Sequence, residues 1–261
     1  MSHTPSPTDS TSTSATSTHS TPGVLWTTAC IQRKDLPLSL FDAWYDEHIN
    51  ICLSCPGNGG LFLRYKNIDP QADVYAVPNW NEEPSHNDTA TAKPTTWPFL
   101  ALVKLDDIKW VASKQFNDMS RFWKLLPPEP DGSIGSAFSC FYGALRCYET
   151  VRTVPDPTGR TTRPKYILSV QTTRGASSAA ADDDWDAQDQ EYVGRPGFRC
   201  AVRYRLVEDL LAAQEPGWLP KGLALYEFDG EEPPRVAVGQ DCFKADVWEF
   251  ILEAGDSSLR L

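Results

Sequence analysis

The sequence lacks the features of a membrane-bound or exported protein. None of its apolar runs approaches the roughly 18 to 20 residues that a membrane span needs, and its first residues do not form a signal peptide. Positive charge is also scarce, because 24 Lys and Arg stand against 35 Asp and Glu, for a net charge of −11. Nucleic acids and anionic membranes attract basic proteins, so neither is expected as a partner. We expect a cytoplasmic protein that acts on a small molecule.

Motifs for cofactor and metal binding are missing as well. The chain has no GxGxxG, no GxxxxGK[ST] and no GxSxG, and its four histidines are scattered. The CLSC segment at 52–55 has the spacing of a metal or redox pair, but no second pair accompanies it, so buried reduced thiols are the favoured interpretation. We therefore expect no cofactor and no metal. The less favoured alternative is haem, held by His48 or His86 as an axial ligand.

The amino-terminal segment has almost nothing to bury. Residues 1–23 are mostly Ser, Thr, Pro and small residues, which predicts a disordered tail. Two units follow, at 24–152 and 164–261. The segments PGNGGLFLRYK and FLALVKLDD of the first unit recur in the second as PGFRCAVRYR and GLALYEFDG, in the same order. Short motifs that recur in this way indicate an internal repeat.

Hydrophobic periodicity predicts an α+β fold. The first unit has strands at 24–32, 61–67, 98–106 and 137–151 and helices at 38–53 and 106–123. The second unit has the same pattern, with a helix near 241–253 and a fourth strand that is short or missing. The order β-α-β-β-α-β is typical of a ferredoxin-like unit. Two such units, fused, would place their bare sheet faces together in a pseudo-dimeric α+β barrel, with a ligand cavity between the sheets.

Several short motifs are similar to those of a known family. A WYDEH segment ending at His48, then Pro-Gly, then an Arg-Tyr strand and a strand ending LALxxxD resemble the tandem EthD-type domains of fungal-type proteins, in the dimeric α+β barrel superfamily. The resemblance covers about residues 24–255. It implies a cofactor-free protein that acts on polyketide-like or other aromatic intermediates by decarboxylation, dehydration or cyclisation. The sequence departs from the family in a shorter Trp to Glu-His spacing, and in Gln188, which replaces a second histidine.

His48 is the candidate acid/base group. An imidazole with an ordinary pKa near 6.5 can donate or accept a proton at neutral pH, and neighbouring residues can tune it. The alternative is that His48 packs in the core, with Glu47 merely solvated. Tyr45 or Tyr65 would donate a hydrogen bond to the substrate in the same site.

Arginine and aromatic side chains are the candidates for substrate binding. Arg64 or Arg203 would hold an anion, and Trp44, Trp97 and Tyr226 would contact a flat apolar ligand. Alternation along the strand that carries Arg203 places its apolar face under the helices, so its arginine face is expected to look into the barrel. The alternative is that these arginines only pair with acidic neighbours.

The residues and the resemblance together favour one functional hypothesis and leave two alternatives. The favoured hypothesis is a cofactor-independent lyase or cyclase of specialised metabolism, with general acid/base chemistry on an aromatic or polyene intermediate. The expected substrate is a small aromatic or apolar molecule, with or without an anionic group. One alternative is a non-catalytic small-molecule carrier on the same barrel. The other is a cofactor-free monooxygenase. The protein could also form a homodimer.

Overall fold

The computed structural model describes residues 20–75, 96–160, 162–173, 188–211, 219–236 and 242–261. The strands are β1 (Gly23–Ile31), β2 (Leu61–Asn67), β3 (Phe99–Leu105), β4 (Phe141–Val154), β5 (Tyr166–Thr172), β6 (Phe198–Asp209), β7 (Gly222–Phe228) and β8 (Cys242–Gly255). The helices are α1 (Leu38–Ser54), α2 (Lys114–Asn117), α3 (Ala137–Cys140) and α4 at 188–193. No helix in these ranges is both long enough and apolar enough to cross a membrane.

The helix α1 forms because one of its sides is apolar. Its buried residues recur at intervals of three or four and pack against the sheet: Phe41, Tyr45, Ile49 and Cys52. The helix predicted at 38–53 is thereby confirmed. The chain turns shortly after Ser54, where Gly57 has φ +90°, a conformation that residues with a side chain rarely adopt.

The eight strands close into one antiparallel barrel. The first half contributes the adjacent strands β4-β1-β3-β2, and the second half contributes β8-β5-β7-β6. Pairing of β2 with β8 and of β4 with β6 joins the two halves. Because every strand has a partner on both sides, the sheet has no free edge.

Alternation along the strands sorts the side chains into an interior and two outer layers. All eight strands contribute to one buried cluster, which therefore fills the barrel interior; in it Trp26 and Trp248 meet edge to face at 6.1 Å. On β2, Tyr65 points into this cluster and Phe62 points outward, into the layer under α1. A corresponding outer layer of the second half lies under α4.

Two predictions of secondary structure need correction. The helix predicted near 241–253 is wrong, because Cys242–Gly255 form β8, the fourth strand that was expected to be short or missing in the second unit. From Ala245 to Phe250 the side chains alternate, with Trp248 and Phe250 in the interior cluster and Ala245 and Val247 in the outer layer, which suits a strand paired on both sides. The helix predicted at 106–123 is reduced to one 3₁₀ turn and the single turn of α2. Most of the predicted tail, up to residue 19, lies outside the described residues.

The arginine face of β6 lies under the helix and not in the barrel. Arg203 forms a buried ion pair with Asp189 on α4, and its guanidinium also donates to the Tyr226 hydroxyl at 2.9 Å. Tyr204, next along the strand, belongs to the interior cluster. The predicted orientation is therefore reversed, because the barrel interior takes the aromatic face and α4 brings the carboxylate that a buried arginine needs.

The buried pair of Arg203 and Asp189 should contribute much more to stability than a surface pair. Replacement Arg203→Met leaves the Asp189 carboxylate buried without its cation, and we expect the free energy of unfolding to fall by about 3–5 kcal/mol. The control is Arg205→Met, which breaks an ion pair with Glu149 in which the arginine side chain is 46% exposed, and should cost under about 1 kcal/mol. Urea unfolding measures both. Equal losses would contradict a structural role specific to Arg203.

Candidate functional site

A cavity of about 120 Å³ lies between α1 and the outward face of the first-half sheet. Leu25, Phe62 and Val103 are among the strand residues that form its floor, and residues of α1, α2 and the segment up to Arg121 form its walls. Phe138, which is 60% exposed, also borders it, so the cavity reaches the surface there. The sequence predicted a cavity between the two sheets. The described cavity lies outside the barrel wall, whereas a buried cluster with side chains from all eight strands lies in the interior.

His48 borders this cavity from the middle of α1. The Trp44 indole, one helical turn earlier, stacks on the imidazole with ring centroids 4.8 Å apart and planes 12° from parallel. Trp44 in turn contacts Tyr45 and Phe141 edge-on or tilted. Packing of this kind fixes the orientation of the imidazole, which a positioned proton acceptor requires.

The environment of His48 disfavours its charged form. Burial and, to a smaller extent, the nearby positive charge of Arg121 lower the pKa of His48 to about 4. The imidazole is therefore neutral at physiological pH. A neutral imidazole can accept a proton, so the geometry permits a base and not an acid in the unliganded protein.

Two sulfur atoms determine which nitrogen of His48 carries the hydrogen. Cys52 Sγ lies 3.6 Å from His48 Nε2 and 3.2 Å from Met119 Sδ. A thioether has no hydrogen to donate, so in the short contact with Met119 the thiol of Cys52 is the donor; this arrangement favours the tautomer in which Sγ accepts from Nε2–H, whereas a thiol that donated to Nε2 would place the ring hydrogen on Nδ1. Burial raises the pKa of Cys52 to about 12, which keeps this thiol protonated. His48 Nδ1 is then the basic nitrogen, and it has no hydrogen-bond partner in the part of the chain that the structure describes.

Tyr45 is the second predicted residue that borders the cavity. Burial raises the pKa of Tyr45 to about 12, against an opposing effect of Arg64, so the phenol keeps its proton. The Arg64 guanidinium lies over the Tyr45 ring at 4.7 Å from its centroid and donates to Asp42 on α1 at 2.6 Å. Arg64 thus holds α1 against β2, and the tyrosine packs between them.

Arg121 is a cavity residue that sequence reasoning missed. Its guanidinium donates to the Met119 carbonyl at 2.6 Å and lies 5.6 Å from the Phe116 ring centroid. Burial lowers its pKa, and the neighbouring groups that oppose this shift are thiols, Cys52 and Cys55. Neither contact neutralises the charge. The signal in the sequence was one cation within the apolar segment MSRFW, which was included in the helix predicted at 106–123.

The other predicted site residues lie away from the cavity. Tyr65 and Trp97 belong to the cluster that fills the barrel, while Arg203 and Tyr226 bond to each other under α4. Arg64 is close to the cavity wall but faces Asp42. Of the predicted set, the cavity brings together His48, Tyr45 and Trp44. Among the described residues, no group of three or more His, Cys, Asp or Glu is arranged to hold a metal ion.

Comparisons with known proteins find likeness only at the level of solved structures. The sequence matches no family model and no curated protein. An anthrone oxidase-like protein aligns over 91% of this chain and 94% of its own, with 12% identity and a TM-score of 0.49. A proposed monooxygenase of Fusobacterium nucleatum aligns over 92% and 97%, with 7% identity and a TM-score of 0.44. A proposed monooxygenase of Lactobacillus acidophilus aligns over 90% and 96%, with 8% identity and a TM-score of 0.39. Likeness of this degree assigns neither a family nor an activity.

The low pKa of His48 should make stability depend on pH. Above pH 6.5 the imidazole is neutral in both the folded and unfolded states. Between pH 6.5 and 4 the unfolded state binds the proton more readily, so acidification lowers the free energy of unfolding, by up to about 3 kcal/mol for this group. In His48→Gln this part of the acid sensitivity should disappear. Urea unfolding at pH 7 and pH 4.5 measures it, and an unchanged difference between the two pH values would show that His48 is not buried as a neutral group.

The tautomer of His48 can be observed directly. We expect the ¹⁵N NMR shifts of the imidazole to show hydrogen on Nε2 and a free lone pair on Nδ1 at pH 7, because Cys52 Sγ accepts from Nε2. In Cys52→Ala this preference should weaken towards a mixture. Cys55→Ala, which changes a thiol outside that contact, is the matched control and should leave the shifts unchanged.

Proposed function

We propose that this chain is a cofactor-independent enzyme of specialised metabolism, and that it removes a proton from an aromatic substrate in the cavity under α1. His48 is the general base, Tyr45 and Trp44 position the substrate, and Arg121 stabilises the negative charge that develops. The resulting anion leads to a lyase or cyclase reaction. Arg121 takes the role that the sequence gave to Arg64 or Arg203, because those two are engaged in ion pairs with Asp42 and Asp189.

One observation carries this proposal: His48 Nδ1 is buried without a hydrogen-bond partner among the described residues, on an imidazole that borders an apolar cavity, and in the tautomer favoured by Cys52 it is the basic nitrogen. A core histidine would normally satisfy both of its ring nitrogens, since buried polar groups are nearly always hydrogen-bonded. An unpaired buried acceptor costs free energy in the unliganded protein. A substrate that donates a hydrogen to Nδ1 recovers that cost, which ties the site to a ligand.

Proton transfer to His48 also changes the electrostatic interaction between His48 and Arg121. The neutral base accepts the proton from an acidic C–H or O–H, and the electron pair stays on the substrate as an enolate or phenolate. This anion then lies between two cations, and its charge compensates the repulsion by Arg121, the smaller of the two causes, after burial, that hold the pKa of His48 low in the free protein. The bound anion therefore raises the basicity of His48 during the reaction, when a base is needed.

The fate of the anion determines the reaction class. In a dehydration, the C–O bond to a neighbouring hydroxyl breaks, and the departing hydroxide takes the proton from His48 and leaves as water. In a cyclisation, the enolate carbon forms a bond to a carbonyl carbon of the same molecule, and the new alkoxide takes that proton. Both sequences return His48 to its neutral form without an external oxidant or reductant.

We also propose that the barrel consists of two fused ferredoxin-like units and that the chain is of the EthD type. Each half contributes its strands in the same spatial order, fourth-first-third-second, and each half carries one copy of the Pro-Gly and Arg-Tyr motifs. These regularities support a duplication. The second half keeps Gln188 where the first has His48, which supports a single reactive site.

Replacement His48→Gln should abolish catalysis while leaving the fold intact. Benzoylacetate, an aromatic compound with acidic α-hydrogens, serves as the probe, and exchange of these hydrogens for deuterium is followed by NMR. We expect the exchange rate to fall by about 10²- to 10⁴-fold, the usual contribution of a positioned base. Glu47→Gln, which changes an exposed neighbour on the same helix, is the control and should keep the full rate.

The same experiment separates the alternatives. Exchange that persists in His48→Gln would exclude His48 as the base. Binding of the probe without any exchange in the unchanged protein would favour the carrier. Oxygen uptake during turnover, recorded with an electrode, would identify the monooxygenase, in which the substrate anion supplies the electrons to O₂.

A further inference from the structure

We infer that the cavity selects a single-ring aromatic anion that carries a hydroxyl or enol group, with the anionic oxygen on Arg121 and the O–H directed to His48. The inference rests on the proposed function, because it concerns the same cavity, but it specifies the ligand and not the reaction. It depends on three observations: Arg121 has no counter-ion among the described residues, the cavity has a small volume, and His48 Nδ1 has no hydrogen-bond partner there.

The charge of Arg121 has no counter-ion in the described parts of the chain. Its guanidinium contacts only a backbone carbonyl and an aromatic ring there, and no described carboxylate contributes to its pKa. Desolvation of a guanidinium is costly unless an anion compensates it. A cation in this state at the wall of a cavity is the arrangement expected of an anion-binding group.

Several other arginines of the described chain form ion pairs with carboxylates. Arg64 pairs with Asp42, and Arg199 with both Asp156 and Asp229. Even Arg205, at the surface, pairs with Glu149. These arginines hold elements of the chain together, whereas Arg121 leaves its charge available.

The volume of the cavity limits the ligand to about one ring. A site of about 150 Å³ lined by apolar side chains is known to hold benzene, and this cavity has about 120 Å³. Larger substrates would have to extend past Phe138 towards the surface. The part recognised in the cavity is therefore the size of a six-membered ring with small substituents.

Aromatic walls and His48 set the orientation of that ring. Trp44, Phe116 and Phe141 border the cavity and provide the ring-shaped apolar contact. His48 Nδ1 can accept a hydrogen bond, so the ligand must present a donor on that side, while Arg121 binds its anionic oxygen. An aromatic carboxylate with an adjacent hydroxyl, or the corresponding enol, satisfies both contacts at once.

Salicylate and salicylamide test the inference, because they share ring, hydroxyl and shape and differ in the charge of one group. Affinities for the full chain are measured by calorimetry at pH 7. We expect salicylate to bind at least about 10-fold more tightly than salicylamide. Arg121→Gln should weaken salicylate binding by about 10- to 100-fold, as loss of a charge-assisted hydrogen bond predicts, and should leave salicylamide binding unchanged.

Lys124→Gln is the matched control, because it removes one exposed positive charge three residues away and should change neither affinity. Arg121→Lys, which keeps the charge, should retain part of the preference for the anion. Equal affinities for the two probes, or a preference that persists in Arg121→Gln, would overturn the inference. Salicylate binding that Lys124→Gln weakens as much as Arg121→Gln would also overturn it, since general electrostatic attraction would then suffice.

Binding is measured without turnover, so the two proposals can fail separately. If the unchanged protein prefers salicylate but His48→Gln still exchanges the hydrogens of benzoylacetate, the proposed reaction is overturned and the ligand class is kept. If His48→Gln loses this exchange but the unchanged protein shows no preference for the anion, the ligand class is overturned and the proposed reaction is kept.

Discussion

Closure of the eight strands into one ring is the constraint on which the rest of this structure depends. Once β2 pairs with β8 and β4 with β6, each strand has one face inside and one outside, and no strand can slip without exposing its apolar residues. The interior then has to be filled from all eight strands, and large aromatic side chains such as Trp26 and Trp248 fill it. The described cavity lies on the outer face, between the strands of the first half and α1.

The outer face under α1 and the outer face under α4 differ in the contacts of their buried arginines. Under α4, Tyr192 and Tyr226 lie 4.5 Å apart, and the ion pair of Arg203 with Asp189 completes a packed layer. Under α1, the corresponding arginine, Arg64, holds the helix through a carboxylate that is about half exposed, at the edge of the layer. The described cavity and His48 lie within that layer of the first half, whereas the corresponding position of the second half has Gln188.

Much of the fold follows from periodicity, whereas the position of the site does not. The α1 prediction succeeds because a stripe at intervals of three and four has one stable interpretation. The failure at 241–253 has a physical cause: FKADVWEFILEA contains good helix-forming residues, and only pairing with β2 and β5 makes it a strand. The inward direction of the β6 arginines was wrong for a similar reason, since alternation fixes two faces but not which of them a helix covers.

Within the candidate site, the sequence predicts which residues of one helix lie together, but it does not predict which distant residues join them. His48, Tyr45 and Trp44 share one helix, so their proximity could be predicted from spacing alone. Arg121 and Met119 come from a segment without regular structure, some 70 residues further on, and only the closed barrel brings them to α1. No periodic pattern marks such a residue.

The contact between Cys52 and Met119 has a consequence for the chemistry of the cell. Conversion of Met119 to its sulfoxide would turn a hydrogen-bond acceptor of modest strength into a strong one, with added bulk at the wall. The tautomer of His48 therefore depends on a reduced thioether that the imidazole does not itself contact through a hydrogen bond. Oxidation of Met119 would therefore alter the hydrogen bonding of His48 through Cys52, although the imidazole itself is not oxidised.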